Sequence, residues 1–522
     1  MPFLLLLLLA VPLLFDDFPP PFWGASPPTS LYLAIAVTWS GVFLLVAAAF
    51  LMTCWTCRQL HCYPDERERL QRQFSTWRFY HLIGLFLLYG ASLYGLGWGW
   101  AVQTLCAWGP HDPHSPVMLY PGSDLLFLAP LFVGLVLSWI CFYGAERAFH
   151  GDSPSYLGRR AYLAYHLRQN LALVIAPLAL MVVAKTLLRS LPDDDILGTG
   201  IAIGLPLAVF VTLPWILRLV LKLKPLPDGP LRDRLLGTSR RLHFRCSNIL
   251  LWNTHGGTAN AMVAGILPYP RYVLLTDRLL TDLTPDEVEA VFGHEVGHVK
   301  HAHMLFYVSF LILSLVAVFA FFQLVTAAVP WLHFLTAQNQ DWIKFLFLAI
   351  IAAYVFVVFG FLSRRCERQA DVFGCRAVSC GRADCHCHES TTELLPDGRG
   401  LCPTGIRTFV QALEKVAQLN GISRKRPGWL QSWQHATIAH RVDFLQKMLD
   451  DPTLEPRFQR TVSRVKWGLL LGVLSVLLLL GFAWYWQSPP AKEAQPGSRV
   501  AIVRVERSCI MSINRCGGVR TL

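Results

Sequence analysis

Two histidines and a glutamate with catalytic spacing lie in the stretch VFGHEVGHVK, residues 291–300. On a helix, His294 and His298 are four residues apart, so both imidazoles share one face and can bind one metal ion. Glu295 is rotated by about 100° from His294, where a carboxylate can accept a proton without being a ligand. The pattern fits a catalytic zinc site, but it lies just before a long apolar run, where two histidines could also be polar residues of a membrane helix.

A catalytic zinc needs a third protein ligand and an open position for water. The sequence offers Glu367 in SRRCERQAD, which follows two apolar segments that can form a helical hairpin and return the chain to the same side. Asp371 lies one turn after Glu367 and is suited to orient a ligand histidine. The alternative for both carboxylates is an ordinary solvated helix face beside Arg364 and Arg365.

The helix that carries HEVGH has a well-specified start. Thr284 is a candidate N-cap, Pro285 suits the first helical position, and Glu287 completes a capping box. Gly293 and Gly297 reduce helix propensity, which indicates close packing against that face. Upstream, short β-prone stretches near 247–253, 258–266 and 271–276 predict a small β-meander or hairpin.

The composition predicts an integral membrane protein. The 522 residues are 54% hydrophobic and 15% charged, which is too apolar for an ordinary soluble enzyme. Apolar runs long enough to cross a bilayer predict eight spans. They lie near 31–53, 79–103, 125–143, 171–188, 196–220, 305–329, 345–362 and 467–486.

Basic residues alternate between the predicted loops. The loops after spans one, three and five are rich in Arg and Lys, whereas 104–123 and 330–343 contain neither. By the positive-inside rule, 223–304 and 363–466 face the cytoplasm. The net charge of +12 therefore indicates membrane anchoring, and we expect no nucleic-acid partner because the basic residues form no single stripe.

The motifs together resemble the membrane zinc peptidases that include the CAAX prenyl endopeptidases and the HtpX-like heat-shock proteases. The resemblance rests on NAMVAG, VLLTDRLL, LTPDEVEAVFGHEVGHVKHAH, SRRCERQAD and QHATIAHRVDFL, and it covers about 223–445. Five spans before the zinc motif are more similar to the CAAX-protease branch. The last span lies beyond the region of resemblance.

The resemblance implies a role for each matching residue. It implies His294, His298 and Glu367 as zinc ligands, Glu295 as general base and Asp371 as an orienting carboxylate. It implies a substrate strand paired beside the Asn260–Ala261 edge. It also implies His435 and Arg441 as groups that face the site and stabilise the oxyanion. Here Ala436 replaces the usual proline after that histidine, which puts the role of His435 in doubt.

A Cys/His-rich loop departs from the family pattern. Its soft ligands are Cys375, Cys380, Cys385, His386, Cys387, His388 and Cys402. They could bind a second, structural zinc, or they could be a local group of reduced thiols, since their spacing matches no regular CxxC pair. Several of the fourteen cysteines fall on the inferred cytoplasmic side, so we expect no disulfide framework.

The sequence therefore predicts a mainly α, polytopic membrane protein with a cytoplasmic-side zinc peptidase domain that contains a small β-sheet. Its predicted regions are 1–222 with five spans, 223–304 with the β-structure and HEVGH helix, the hairpin 305–362, the segment 363–466, and 467–522 with the last span. The predicted activity is endopeptidase cleavage of lipidated tails or of damaged membrane proteins. The alternative is a non-catalytic scaffold or metal sensor that uses the Cys/His loop.

Overall fold

A computed structural model gives the architecture. It describes residues 18–24, 28–108, 119–120, 122–150, 157–171, 208, 211–310, 313–314, 318, 321, 354–380, 385, 400–424, 436–451 and 453–487.

Apolar helices dominate the N-terminal part. The helices are α1 (Thr29–Cys62), α2 (Arg67–Tyr94), α3 (Trp98–Cys106), α4 (Ala129–His150), α5 (Arg159–Leu171) and α6 (Val211–Val220), with 3₁₀ turns at Pro64–Glu66 and Ser123–Leu128. Within the described residues, three helical stretches are long and apolar enough to cross a membrane: Thr29–Cys62, Ser123–Phe149 and Leu454–Phe482. The segments Pro64–Tyr94 and Trp98–Cys106, bent by 52°, would make a fourth span if they act as one.

The prediction of eight spans is therefore not confirmed, although a mainly helical protein with membrane-length helices is. The predicted span 79–103 is broken by a bend near Gly97, where φ is +80°, a conformation that glycine adopts easily. The predicted span 171–188 falls almost entirely outside the described residues, and 196–220, 305–329 and 345–362 fall outside them in part.

A four-stranded mixed sheet precedes the HEVGH helix. Its strands are β1 (Lys224–Pro225), β2 (Asn248–Trp252), β3 (Ala261–Ala264) and β4 (Tyr272–Thr276), in the order β1-β2-β4-β3. The prediction of a hairpin is correct for β3 and β4, but a meander is wrong, because β2 runs parallel to β4. All five residues of β4 are buried, as expected of a central strand, and β3 forms one edge.

Seven further helices accompany this sheet in the described part of the chain. They are α7 (Pro230–Arg241), α8 (Asp277–Asp282), α9 (Pro285–Lys300), α10 (Gly360–Ala377), α11 (Pro403–Leu419), α12 (Ile438–Asp450) and α13 (Leu454–Gln487). A π-helical turn, Val355–Phe359, leads directly into α10. One apolar core joins the sheet to α7, α9 and α10 through side chains such as Leu235, Val273, Phe292 and Phe373. Helix α13 continues across the predicted boundary between the regions 363–466 and 467–522.

The start of α9 agrees with the sequence. The Thr284 hydroxyl accepts a bond from the Glu287 amide, and the Glu287 carboxylate accepts one from the Thr284 amide, which forms the predicted capping box. This pairing satisfies amides that have no partner within the helix.

Helices α9 and α10 approach closely along the two glycines of α9. A Cβ on Gly293 would collide with Ala377, and a Cβ on Gly297 would lie 2.8 Å from the Cβ of Phe373. Gly374 on α10 is similarly restricted by the ring of Phe409. The close packing expected from these glycines is therefore present, and it brings the histidines of α9 near the carboxylates of α10.

We expect Gly297→Ala to destabilise the protein by about 1–3 kcal/mol, because the added methyl group overpacks the α9–α10 contact. Gly237→Ala is the matched control, since Gly237 lies inside α7 with open space around its Cα. That change should be neutral or stabilise by up to about 1 kcal/mol. Thermal unfolding in detergent measures both effects. Equal unfolding temperatures for the two variants would contradict the close packing.

Candidate active site

Three side chains converge where α9 faces α10. His294 Nε2 lies 3.2 Å from His298 Nε2, and Glu367 places its two oxygens 3.6 Å from His298 Nε2 and 3.9 Å from His294 Nε2. Zinc bonds of about 2.0–2.1 Å in a tetrahedral site separate ligand atoms by about 3.3–3.4 Å. The two imidazoles and one carboxylate therefore fit a zinc ion with small adjustments, and they leave a fourth position for water.

Each ligand is placed by its helix. His294 and His298 are one turn apart on α9, so their side chains lie on one face of that helix. Glu367 comes from α10, which is separated from α9 in the sequence but packs along it. The Glu367 side chain is 7% exposed, so water competes little for its oxygens.

Asp371 connects the first ligand to a buried arginine. Its Oδ1 lies 3.0 Å from His294 Nδ1, the ring nitrogen on the other side from the converging atoms. Arg441 on α12 donates from Nε to Asp371 Oδ2 at 2.8 Å and from a terminal nitrogen to Oδ1. Burial opposes ionisation of Asp371, but Arg441 and His294 outweigh it and hold the pKa of this carboxyl below its ordinary value.

The contacts of Arg441 differ from those expected of a group that stabilises the oxyanion. Two of its nitrogens are bonded to Asp371, and the remaining terminal nitrogen lies 3.8 Å from Glu367 Oε2. The guanidinium therefore faces the two carboxylates, and only one nitrogen is directed near the ligand group.

A third histidine orients the second ligand. His303 Nδ1 lies 2.9 Å from His298 Nδ1, and His303 Nε2 lies 3.0 Å from Gln369 Oε1. Burial, together with the nearby His298 ring, lowers the pKa of His303 to about 2, so this imidazole is neutral. If His303 donates from Nε2 to the amide oxygen, its Nδ1 accepts the proton of His298 Nδ1. That tautomer leaves the lone pair of His298 Nε2 directed at the candidate metal position.

Glu295 contacts the edge of the sheet. Its Oε2 accepts a hydrogen bond of 3.2 Å from the amide of Val263 in β3. The backbone of Asn260 faces the opposite side, toward β4, because its carbonyl accepts a hydrogen bond from the Thr276 amide. Since alternate residues of a strand direct their backbone groups to opposite sides, Ala261 and Val263 face away from β4 and toward Glu295.

Two further elements support the site, and no local sequence pattern indicated their roles. The ring of Phe409 on α11 stacks against His294 with centroids 5.8 Å apart. Helix α13 contacts α10, because the side-chain amide of Gln369 donates to Gln459 at 2.5 Å. It also contacts the end of α9, because Lys466 donates to the His301 carbonyl at 2.6 Å. The polar first half of α13, which precedes the predicted span 467–486, thus contacts α10 and the end of α9.

The structure brings together most of the predicted site residues. His294, Glu295, His298, Glu367, Asp371, Arg441 and Ala261 surround one region, whereas the Asn260 backbone pairs with β4. His435 lies outside the described residues. His303 and Phe409 were missed. A third histidine shortly after the HEVGH motif could have indicated His303, but no local pattern distinguishes Phe409 from a core residue.

An HExxH helix with a glutamate from a second helix is the arrangement of the zincin class of metal-dependent peptidases. Residues 248–447 match the model of peptidase family M48, so the resemblance predicted from the motifs is confirmed for this region of the chain.

Curated relatives agree with that family. The chain is 29% identical over 171 residues to a CAAX prenyl protease 1 homolog of Arabidopsis thaliana, covering 31% of this chain and 39% of the relative. It is 24% identical over 219 residues to a protease HtpX homolog of Methanocaldococcus jannaschii, covering 40% and 66%. The matches thus span less than two thirds of the length of these relatives.

A solved structure supports the fold. The crystal structure of S. mikatae Ste24p superimposes with a TM-score of 0.50 at 16% identity, covering 80% of this chain and 99% of that one. The likeness extends beyond the region that the family model matches, so it concerns the architecture of most of the chain.

We expect His303→Ala to weaken zinc binding about 10–100-fold, the usual cost of losing a group that orients a ligand histidine. Zinc titration against a competing chelator measures the affinity. His440→Ala is the control, because His440 is an exposed residue of α12 that bonds only locally to Thr437. Unchanged zinc affinity in His303→Ala would show that His298 needs no such partner.

Proposed function

We propose that this protein is a membrane zinc metalloendopeptidase that hydrolyses peptide bonds of membrane-associated or lipidated proteins. The observation that carries the proposal is that Glu295, next to His294 on α9, has its carboxylate bonded to the edge of β3 and close enough to act on the charge of His294. A purely structural metal site needs no adjacent base. The relatives named as proteases support the activity, and they do not favour a non-catalytic scaffold.

Each residue has a task in this reaction. His294, His298 and Glu367 would hold the ion, which supplies a Lewis acid for the peptide carbonyl and lowers the pKa of water toward neutrality. The Glu295 carboxylate accepts a proton from the attacking water and returns it to the leaving amine. Asp371 fixes the ring of His294, and Arg441 acts through Asp371 as a positioning residue.

We propose that the substrate pairs with β3 as an added strand. Ala261 and Val263 direct backbone groups away from β4, and the amide of Val263 already bonds to Glu295. An extended peptide at this edge would place a scissile bond beside the proposed base. Asn260 contributes from its exposed side chain, because its backbone is paired with Thr276.

Two substrate classes remain within this proposal. Lipidated tails are suggested by the name CAAX prenyl protease of a relative, and damaged membrane proteins by the resemblance to HtpX-like heat-shock proteases. A cleavage profile with matched prenylated and unmodified peptides separates them, since only the first class predicts a preference for the lipid.

The proposed orientation places the active site on the cytoplasmic side of the membrane. It rests on the basic loops, since Arg and Lys accumulate in the segments that would face the same side as α9 and α10. In sealed vesicles, a membrane-impermeant peptide should be cleaved only when the cytoplasmic face is outside. Cleavage only in the opposite orientation would reverse the assignment.

We expect Glu295→Gln to lower peptide cleavage by about 10²–10⁴-fold, because the amide cannot accept the proton of the attacking water. Zinc content should stay at the wild-type value, since Glu295 is not one of the three proposed ligands. Glu414→Gln is the control, because Glu414 is a half-exposed residue of α11 paired with Arg424. A Glu295→Gln variant that cleaves as fast as wild type would exclude the proposed mechanism.

We expect Ala261→Pro to raise KM for peptides while the protein stays folded, because proline removes a backbone N–H from the outer side of β3 only. Ala261→Ser keeps that N–H and controls for the change of side chain. Steady-state kinetics and thermal unfolding are measured together. An unchanged KM in the folded proline variant would argue against strand addition at this edge.

A further inference from the structure

A second group of metal-binding side chains lies outside the candidate active site. Cys380, Cys385 and Cys402 are 5%, 4% and 1% exposed, and they form a cluster of their own, separate from the larger apolar cores. Their three sulfur atoms lie within 4.8 Å of one another. The sulfurs, rather than only the Cβ atoms, therefore converge on one point.

The backbone around these sulfurs is held in place by hydrogen bonds. The Ser379 hydroxyl accepts from the Cys402 amide at 3.2 Å and donates to the Cys375 carbonyl at 2.7 Å. The Thr404 hydroxyl donates to the Cys385 carbonyl at 3.2 Å. These bonds connect the end of α10 to the start of α11, so the three cysteines are fixed at the junction of two helices.

Cys402 is also the N-cap of α11. Its Sγ accepts from the Gly405 amide at 3.3 Å, a position where serine, threonine, asparagine or aspartate is usually preferred. A thiol is a weak acceptor, so capping alone does not account for a cysteine here. A sulfur that also binds a metal would account for it.

The separation of the sulfurs fits a soft divalent metal. Zinc–sulfur bonds of about 2.3 Å in a tetrahedral site place neighbouring sulfurs about 3.8 Å apart, a distance that these side chains reach with small rotations. Thiolates favour zinc over magnesium or calcium, which prefer oxygen ligands. The fourth position would be open to water.

We propose that Cys380, Cys385 and Cys402 bind a second, structural zinc ion. The site differs from the candidate active site in its ligands, which are sulfurs, and in its burial. It joins α10, which carries Glu367 and Asp371, to α11, whose Phe409 contacts both His294 and Gly374. The ion therefore fixes the two helices that position the active-site ligands, without contacting the substrate.

The sharpest test is Cys402→Ser in the full-length protein purified in detergent. Serine is a better N-cap than cysteine, so the change removes a metal ligand while it preserves or improves the cap. The proposal predicts that zinc content falls from two ions per chain to one and that the unfolding temperature falls as well. A role in capping or apolar packing alone predicts unchanged zinc and equal or higher stability.

Two controls identify which ion is lost. Cys246→Ser changes a partly buried cysteine that packs against the core of the sheet, outside the proposed site, and should keep both ions. His298→Ala removes a proposed ligand of the other site and should keep the ion on the cysteines. If the peptidase proposal failed, His298→Ala would leave the zinc content unchanged, and the effect of Cys402→Ser would still test the cysteine site.

Cobalt substitution of the wild-type protein gives an independent measurement that needs no variant. Thiolate ligands produce an intense near-ultraviolet charge-transfer band, which the proposal predicts for the wild type and for His298→Ala. A wild-type protein without this band and with one zinc per chain would overturn the proposal. So would a disulfide between two of the three cysteines, detected by mass spectrometry of the purified protein without reductant.

Discussion

The close approach of α9 and α10 is the contact on which the candidate active site depends. Two histidines on one helix can define only one side of a metal site, and the missing carboxylate is on the other helix. Gly293 and Gly297 place no side chain of α9 in this contact, so Ala377 and Phe373 of α10 occupy the space. The distances of 3.6 and 3.9 Å from Glu367 to the histidine nitrogens follow from this contact.

Once the helices are this close, buried charge must be compensated, because an isolated ionised carboxylate in an apolar interior is costly. Asp371 is fully buried and lies between His294 and Arg441. Its Oδ1 contacts both groups, and its Oδ2 accepts from Arg441. The same pair also fixes the orientation of the first histidine. A network that stabilises a buried charge therefore also positions a ligand, and α12 is part of the site because it supplies Arg441.

The outer helices stabilise this arrangement from two sides. The polar first half of α13 contacts α10 through Gln459, and Gln369 passes the constraint to His303 and then to His298. On the other side, α11 places Phe409 against His294 and Gly374, and its N-terminus meets the cysteine cluster. The candidate ligands on α9 are thus surrounded by side chains that come from four other helices, α10 to α13.

The sequence by itself determined the features that depend on local spacing. The four-residue separation of His294 and His298, the capping box at Thr284 and the glycines of α9 all act within one helix, so a short pattern reports them. The pairing of Glu367 with the histidines was also within reach, because two apolar segments between them predicted a chain reversal. The tertiary structure decided what depends on contacts between distant segments: the parallel pairing of β2 with β4, the bonding of Arg441 to Asp371, the relay through His303, and the convergence of three sulfurs. Periodicity and motif spacing describe a residue's own helix or strand, but they contain no information about which distant side chain will pack against it, and these contacts depend on that packing.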